Sequence, residues 1–376
     1  MNIAVDVRAL SNKKLTGIGK YIYHSLENIL EIDKENKYYL FNSGLRTKTP
    51  YDFGLNGNFE YIHIKWPNKL LNFLLWTGLV NLNNFLPKNI DFAWLPNLNF
   101  ARFKKGFPFV LTIHDLSFLH SREFYSLKRR YWHKLVNVAY LVENAQKIIT
   151  VSANTKRDVL RFFSLDEHKI EIINPGISHI NMTIEEAQRL SNGFKLKKDF
   201  FLYVGTLEPR KNIISIVRAF DHFHNDYPDT ELIIVGGRGW VYKKLLKSIK
   251  NRPYVRYLDY VDGPQKDALY YLCKAFIWPS FYEGFGFPPM EALAHQRPIV
   301  VSYKTSLPET ISRSALYVDP YNISDVYMAL KYLMEDDALV LKMSDLAKNH
   351  LLPFWPEQTK KVIRVFNSFQ KNENSN

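Results

Sequence analysis

Short apolar runs rich in β-branched and aromatic residues alternate with helical patterns along the whole chain. In the first half NIAVDV (2–7), YYLF (38–41), EYIHI (60–64), FAWL (92–95), FVLTI (109–113) and KIITV (147–151) read as strands. Periodic segments such as GKYIYHSLENIL and KRRYWHKLVNVAYLVENA separate them, and KIEIINPGI closes the half with a turn at Asn174, Pro175 and Gly176. The second half restarts the pattern with FFLYVG, ELIIVGG, VRYLDYV, FIWPS, PIVVSY and ALYVD. ISIVRAFDHFH and PQKDALYYLCKA are helical segments between them. This alternation predicts α/β architecture: two doubly wound parallel sheets, each covered by helices on both faces. The expected domains are 1–178 and 198–353, with the polar stretch 178–198 carrying the chain across. Pro353 and Pro356 break the chain before a last helix at 357–370, expected to lie outside the second sheet's order.

Length and composition fit this picture. The 376 residues suggest two domains, and 46% hydrophobic residues supply two cores. The single cysteine, Cys273, excludes an internal disulfide framework and a cysteine-based zinc site, and fits a reducing compartment. MNIAVDVRAL reads as a first strand and not as a signal peptide. No apolar run reaches 18 residues; LLNFLLWTGLV (70–80) is too short to span a membrane and reads as a buried or half-buried helix. The formal charge of +13 favours anionic partners.

Ligands of open parallel sheets bind beyond the carboxyl ends of the strands, so polar chemistry there is informative. After FIWPS comes FYEGFGFPPMEAL (281–293), a loop running into a helix. Its glycines let the backbone approach a ligand, and the helix start favours a phosphate. Glu291, read as lying in the first turn, suits vicinal sugar hydroxyls; Glu283 suits a second sugar. After FFLYVG comes TLEPRKN, where Arg210 and Lys211 can neutralise a diphosphate and stabilise it as a leaving group. His114 and Asp115 follow FVLTI, where a histidine can bind a hydroxyl or move a proton. Gly17 and Gly19, in LTGIGKY, read as a loop after the first strand, open to a phosphate or an acceptor; without a third glycine they are a poor dinucleotide fingerprint. The chain has no D-x-D, H-E-x-x-H, G-x-x-x-x-G-K-[ST] or G-x-S-x-G, so it offers no sequence case for metal-bound diphosphate, zinc hydrolysis, a P-loop or a serine elbow.

Together these residues resemble the retaining glycosyltransferases of family 4, which have the GT-B fold. The family's E-x7-E pair matches Glu283 and Glu291, its phosphate-binding lysine Lys211, its active-site histidine His114, and its glycine loop Gly17 and Gly19. NPG (174–176), SLPE (306–309) and YVDP (317–320) are further landmarks, and the likeness covers essentially the whole chain. DVRAL followed by TGIGKY is most similar to bacterial mannosyltransferases of O-antigen and other surface polysaccharides. Two departures stand out. Thr206 or Leu207 takes the place where many members carry an arginine, with Arg210 as the substitute. Asp259 stands where a glycine is common.

The resemblance implies two Rossmann-like domains facing a cleft, with the last helix crossing back onto the first. A nucleotide sugar, GDP-mannose foremost, binds the second domain. Glu291 holds the ribose, and Arg210, Lys211 and the backbone of Gly284, Phe285, Gly286 and Phe287 hold the diphosphate, with Thr206 beside them. Glu283 and His114, with Asp115, position the transferred sugar, and a hydroxyl of a glycan or glycolipid attacks with retention of configuration. No metal or other cofactor is expected. The basic and aromatic stretches 102–105 and 122–132 imply peripheral contact with an anionic membrane, on the inner face of the cell membrane facing the cytoplasm. The rival readings are a UDP-sugar donor, a non-catalytic sugar-nucleotide-binding subunit, a sugar-nucleotide epimerase of the same fold, and a nucleic-acid binder. The E-x7-E pair argues for transfer over epimerisation. The nucleic-acid reading rests on charge alone, without a recognisable module, so no specific nucleic acid is expected.

Overall fold

The computed structural model describes residues 1–11, 15–45, 53, 58–240 and 242–371. They form two compact units, one of Met1–Gly176 with the chain from Pro353 onward, the other Ile177–Leu352. In the first unit seven parallel strands, β1 (Asn2–Asp6), β2 (Lys37–Ser43), β3 (Phe59–Ile64), β4 (Phe92–Leu95), β5 (Phe109–Ile113), β6 (Lys147–Thr150) and β7 (Ile170–Ile172), take the order β3-β2-β1-β4-β5-β6-β7. In the second, β8 (Phe200–Val204), β9 (Glu231–Val235), β10 (Val255–Tyr257), β11 (Ala275–Trp278), β12 (Ile299–Ser302) and β13 (Leu316–Val318) take the order β10-β9-β8-β11-β12-β13. Ile3 pairs with Tyr38 and Phe92, and Phe201 with Leu232 and Ala275, so each sheet reverses its winding beside its first strand. Open α/β sheets take their ligands outside the carboxyl ends at such a reversal, here beside β1 and β4, and beside β8 and β11.

The central strands are apolar on both faces because helices cover both, while the edge strands β3 and β7 carry exposed residues such as Glu60 and Glu171. Every residue of β4, β5, β8, β9, β11 and β12 is buried. The helices that matter below are α1 (Gly17–Ile32), α2 (Asn68–Thr77), α3 (Leu127–Val136), α4 (Ile184–Ser191), α5 (Ile213–Asp226), α6 (Gly263–Leu272) and α7 (Phe287–Ala294).

Several expectations are corrected. Gly17 and Gly19 are not a loop: they lie in the first turn of α1, where the Thr16 hydroxyl accepts from the Gly19 N–H at 3.3 Å. The stretch 178–198 is not a bare connector, because Thr183 caps α4 and α4 packs on α6 inside the second unit. VRYLDYV is a strand only to Tyr257. Asp259 then adopts φ +55°, the left-handed conformation that explains a preference for glycine there. The last helix begins at Trp355, two residues early, with Pro356 in its first turn, where the missing N–H costs nothing.

The C-terminal helix packs on α1, with Phe366 against Phe92 and Trp94 at 5.5 and 5.4 Å between ring centres. Its start explains the NPG landmark: a Cβ on Gly176 would lie 2.3 Å from the Trp355 ring. Segment 70–80 is a surface helix, α2, whose Leu71 and Leu75 are buried while Leu70, Phe73 and Trp76 are exposed. Among the described residues no helix is long and apolar enough to cross a membrane.

Candidate functional site

In the second unit the carboxyl ends of β8 and β11 bring Arg210, Lys211 and Glu283 together. Gly205 follows β8 beside the rings of Tyr203 and Trp278, which stack at 4.9 Å; a Cβ on Gly205 would lie 2.6 Å from Trp278. The chain then makes a short 3-10 turn, Pro209–Lys211, and Asn212 takes φ +57° before α5. The Asn212 amide donates to the Pro279 carbonyl at 3.0 Å and the Pro320 carbonyl at 2.6 Å. One side chain thus ties the loops after β8, β11 and β13 together. The Phe281 N–H adds a bond to the Arg210 carbonyl at 2.8 Å.

Glu283 is 4% exposed and fully engaged. Lys211 Nζ lies 2.7 and 2.8 Å from its two oxygens, and Arg210 Nη1 lies 3.2 Å from Oε2. Trp278 Nε1 donates to Oε1 at 3.0 Å, and Lys211 sits 4.7 Å above the same indole ring. Arg210 also donates to the Tyr282 carbonyl at 2.8 Å and pairs with Glu208 at 3.3 Å. Lys211 is buried, which lowers its pKa. Arg210 beside it acts the same way, and the two together outweigh the pull of Glu283. Thr206, by contrast, is exposed.

The acid-rich loop is pinned from below by the SLPE stretch. The Thr305 hydroxyl accepts from the Glu283 N–H at 2.9 Å, Ser306 donates to the Glu283 carbonyl at 3.0 Å, and Thr310 to the Phe285 carbonyl at 3.2 Å. Gly284 and Phe285 are buried within it. Gly286 caps α7 at φ +96°, and a Cβ there would lie 2.8 Å from Leu307. Two readings of this helix start change. Glu291 is the fifth residue of α7, in its second turn. Pro288 and Pro289 have no N–H, so this helix start does not offer a full first turn of donors, and the expected phosphate contact narrows to the backbone of Gly284, Phe285, Gly286 and Phe287.

Glu291 forms a second cluster with residues of α6. Lys266 Nζ lies 2.8 Å from Oε1, and the Tyr270 hydroxyl donates to Oε2 at 3.0 Å. Burial acts to lower the Lys266 pKa, but Glu291 and Asp267 overcome it and leave it raised. Burial, with Glu291 alongside, pushes the Tyr270 hydroxyl well up, so it stays a proton donor.

In the first unit the TGIGKY segment and His114 meet through Tyr21, one turn into α1, whose ring stands edge-on to the imidazole at 4.7 Å. His114 Nε2 lies 2.9 Å from the Pro96 carbonyl, which can only accept. Nε2 therefore carries the proton and Nδ1 is the acceptor nitrogen. Burial holds the His114 pKa below its usual value, so the ring is neutral near pH 7. Asp115 serves locally, accepting from the Ser117 N–H at 3.0 Å and from its hydroxyl. Between β1 and β4, Arg8 forks onto the buried Asp6 at 2.6 and 2.9 Å and donates to the Phe100 carbonyl at 2.8 Å.

Sequence reasoning missed Trp278, Lys266, Tyr270 and Asn212. Of these only Asn212 carried a signal, as the third residue of R-K-N. Among the described residues no group of three or more His, Cys, Asp or Glu is placed to hold a metal ion.

Residues 184–350 match the family model for glycosyl transferases group 1, and residues 83–179 that for glycosyltransferase family 4. The O-antigen chain mannosyltransferase B of Escherichia coli is 31% identical over 240 residues, 61% of this chain but only 62% of that protein. Among solved structures, sucrose-phosphate synthase from Thermosynechococcus elongatus superposes with a TM-score of 0.76 at 17% identity, covering 99% of this chain and 100% of that one. Anabaena Alr3699/HepE, in complex with UDP-glucose, gives 0.72 at 15% identity over 98% and 100%. At such identities the two structures establish the fold, GT-B. The chain thus carries a glycosyltransferase family 4 domain at residues 83–179 and a glycosyl transferases group 1 domain at residues 184–350.

Proposed function

We propose that the chain is a retaining glycosyltransferase that moves mannose from GDP-mannose to a hydroxyl of a lipid-linked glycan during synthesis of a bacterial surface polysaccharide. The observation that carries this reading is the buried Glu283 held by Lys211 and Arg210 at the carboxyl ends of β8 and β11. Two cations converge there on one carboxylate, beside a glycine loop. A donor diphosphate takes a share of that positive charge, and Glu283 then faces the hydroxyls of the transferred sugar. Glu291 holds the ribose, and His114 offers Nδ1 to a sugar hydroxyl. The acceptor hydroxyl attacks the anomeric carbon as its bond to the leaving phosphate breaks. The hydroxyl proton passes to that phosphate, which departs on the same face. Lys211 and Arg210 stabilise the charge that develops on the diphosphate, and the rest of the site supplies positioning.

Mannose is favoured by the likeness to an O-antigen mannosyltransferase. The test is transfer from GDP-mannose and UDP-glucose to a lipid-linked oligosaccharide, with the anomeric configuration read by NMR. An α-mannoside from α-configured GDP-mannose is expected. A β-linked product, or turnover with UDP-glucose alone, would overturn the reading.

The proposal extends to the membrane. Lys104 and Lys105 are exposed, and α3 exposes Leu127, Tyr131 and Trp132 among Lys128, Arg129 and Arg130. Such a surface rests on anionic headgroups at the inner face of the cell membrane. Charge reversal at these five basic residues is expected to abolish co-sedimentation with anionic vesicles; unchanged binding would contradict this part.

A further inference from the structure

Glu291 is held by two residues that the family pattern did not single out. Lys266 and Tyr270 lie four residues apart on α6 and so on one face. The first places Nζ 2.8 Å from Oε1 of Glu291, the second its hydroxyl 3.0 Å from Oε2. Lys266 Nζ also lies 5.3 Å from the centre of the Tyr270 ring. Tyr270 is fully buried, packed between Phe276 and His295 at 5.4 Å from each. Asp267 stands 3.5 Å from Lys266 and 3.6 Å from His295 Nε2. The arrangement parallels that around Glu283, where a lysine and an aromatic N–H serve the same carboxylate and the lysine lies over that aromatic ring.

One donor on each oxygen fixes both the position and the plane of a carboxylate. A group oriented this way suits bidentate capture of two adjacent hydroxyls, which needs both oxygens at a set distance and angle. We propose that Lys266 and Tyr270 are positioning residues that aim Glu291 at the ribose 2′,3′-diol of the donor. The inference rests on the reading of Glu291 as the ribose ligand.

A purely structural bridge between α6 and α7 would change stability and leave ribose recognition alone. Binding of GDP and of 2′,3′-dideoxy-GDP to the full chain separates the two, with UDP and 2′,3′-dideoxy-UDP run in parallel. Calorimetry on the wild type, Tyr270→Phe, Lys266→Met and Glu291→Ala reads the preference for the ribose form, with melting temperatures showing that each variant is folded. The wild type is expected to prefer the ribose form by about tenfold or more. Tyr270→Phe, which keeps the ring and its stacking, is expected to lose about threefold to tenfold of that preference while the dideoxy form binds as before. Lys266→Met is expected to lose more. If Glu291→Ala loses the preference and Tyr270→Phe keeps it all, the positioning role is overturned. If Glu291→Ala keeps it, or no nucleotide binds, the ribose reading itself fails and the inference falls with it.

Discussion

Glu283→Gln is expected to cut transfer by about 10²–10³-fold and to destabilise the second unit by about 3 kcal/mol. The first effect follows from the loss of the group that orients the transferred sugar. The second follows from burial. Lys211 and Arg210 have side chains 10% and 14% exposed and lean on one carboxylate, so the amide leaves the enclosed Lys211 without its paired carboxylate, while Arg210 keeps Glu208 at 3.3 Å. The pH dependence separates this cause from simple packing. The folded-state pKa of Lys211 is already below its ordinary value of 10.5, through burial and Arg210, with Glu283 pulling the other way. Removing Glu283 lowers it further. Between the lowered folded value and 10.5 the unfolded chain binds more protons than the folded one, so stability rises with pH across that window. The window reaches lower in the variant, so its deficit against the wild type should narrow as pH rises from the variant's lowered value to the wild type's, and hold constant from there to 10.5. Urea denaturation across pH 5 to 9 measures it. A deficit that widens with pH would contradict the account of a stranded lysine.

Gly236→Ala is expected to cost about 3 kcal/mol or more and to abolish nucleotide binding. A Cβ at Gly236 would lie 2.0 Å from the Gly205 carbonyl oxygen, a backbone atom that no rotamer change can move aside. Its φ of +147° adds strain for any side chain. The two glycines mark where the turns after β8 and β9 cross. Gly205 N–H donates to the Val235 carbonyl at 2.8 Å and Leu207 N–H to the Gly237 carbonyl at 3.0 Å. Forcing them apart moves the segment that delivers Arg210 and Lys211. The neighbouring Gly237→Ala is the control, because a Cβ there meets nothing within 4 Å. It is expected to stay within about 0.5 kcal/mol of the wild type, and melting with and without GDP reports both effects.

The architecture was largely legible because central parallel strands buried on both faces, such as β4, β5, β8, β9, β11 and β12, are continuous apolar runs, and helical periods space them. What misled the reading was local. Gly17 and Gly19 looked like a loop because glycine disfavours helix, yet the Thr16 cap begins α1 there. The strand at 255 ran too far because Leu258 and Val261 look like sheet residues, and nothing in LDYV announces the left-handed Asp259. The candidate site was half legible. Strand-end position and motif spacing marked Glu283, Glu291, Arg210, Lys211 and His114, but not Trp278, Lys266 and Tyr270, which bond to the two glutamates. The Lys211–Glu283 bridge closes over 72 residues, a separation at which sequence gives no geometry. Lys266 at a helix start looks like solvated surface, and Tyr270 and Trp278 look like core. Each places one polar atom against a glutamate carboxylate, and packing sets where that atom lies.

The most direct test of the central claim is the melting temperature of the chain with GDP, GDP-mannose, UDP, UDP-glucose and ADP, measured beside Glu291→Ala. The claim is that the loop at 281–293 and the turn at 205–211 together bind a nucleotide sugar. At a hundredfold excess over Kd, GDP and GDP-mannose are expected to raise the melting temperature of the wild type by about 5–10 °C and to leave the variant unmoved. No shift with any of the five nucleotides, or an equal shift in Glu291→Ala, would contradict it.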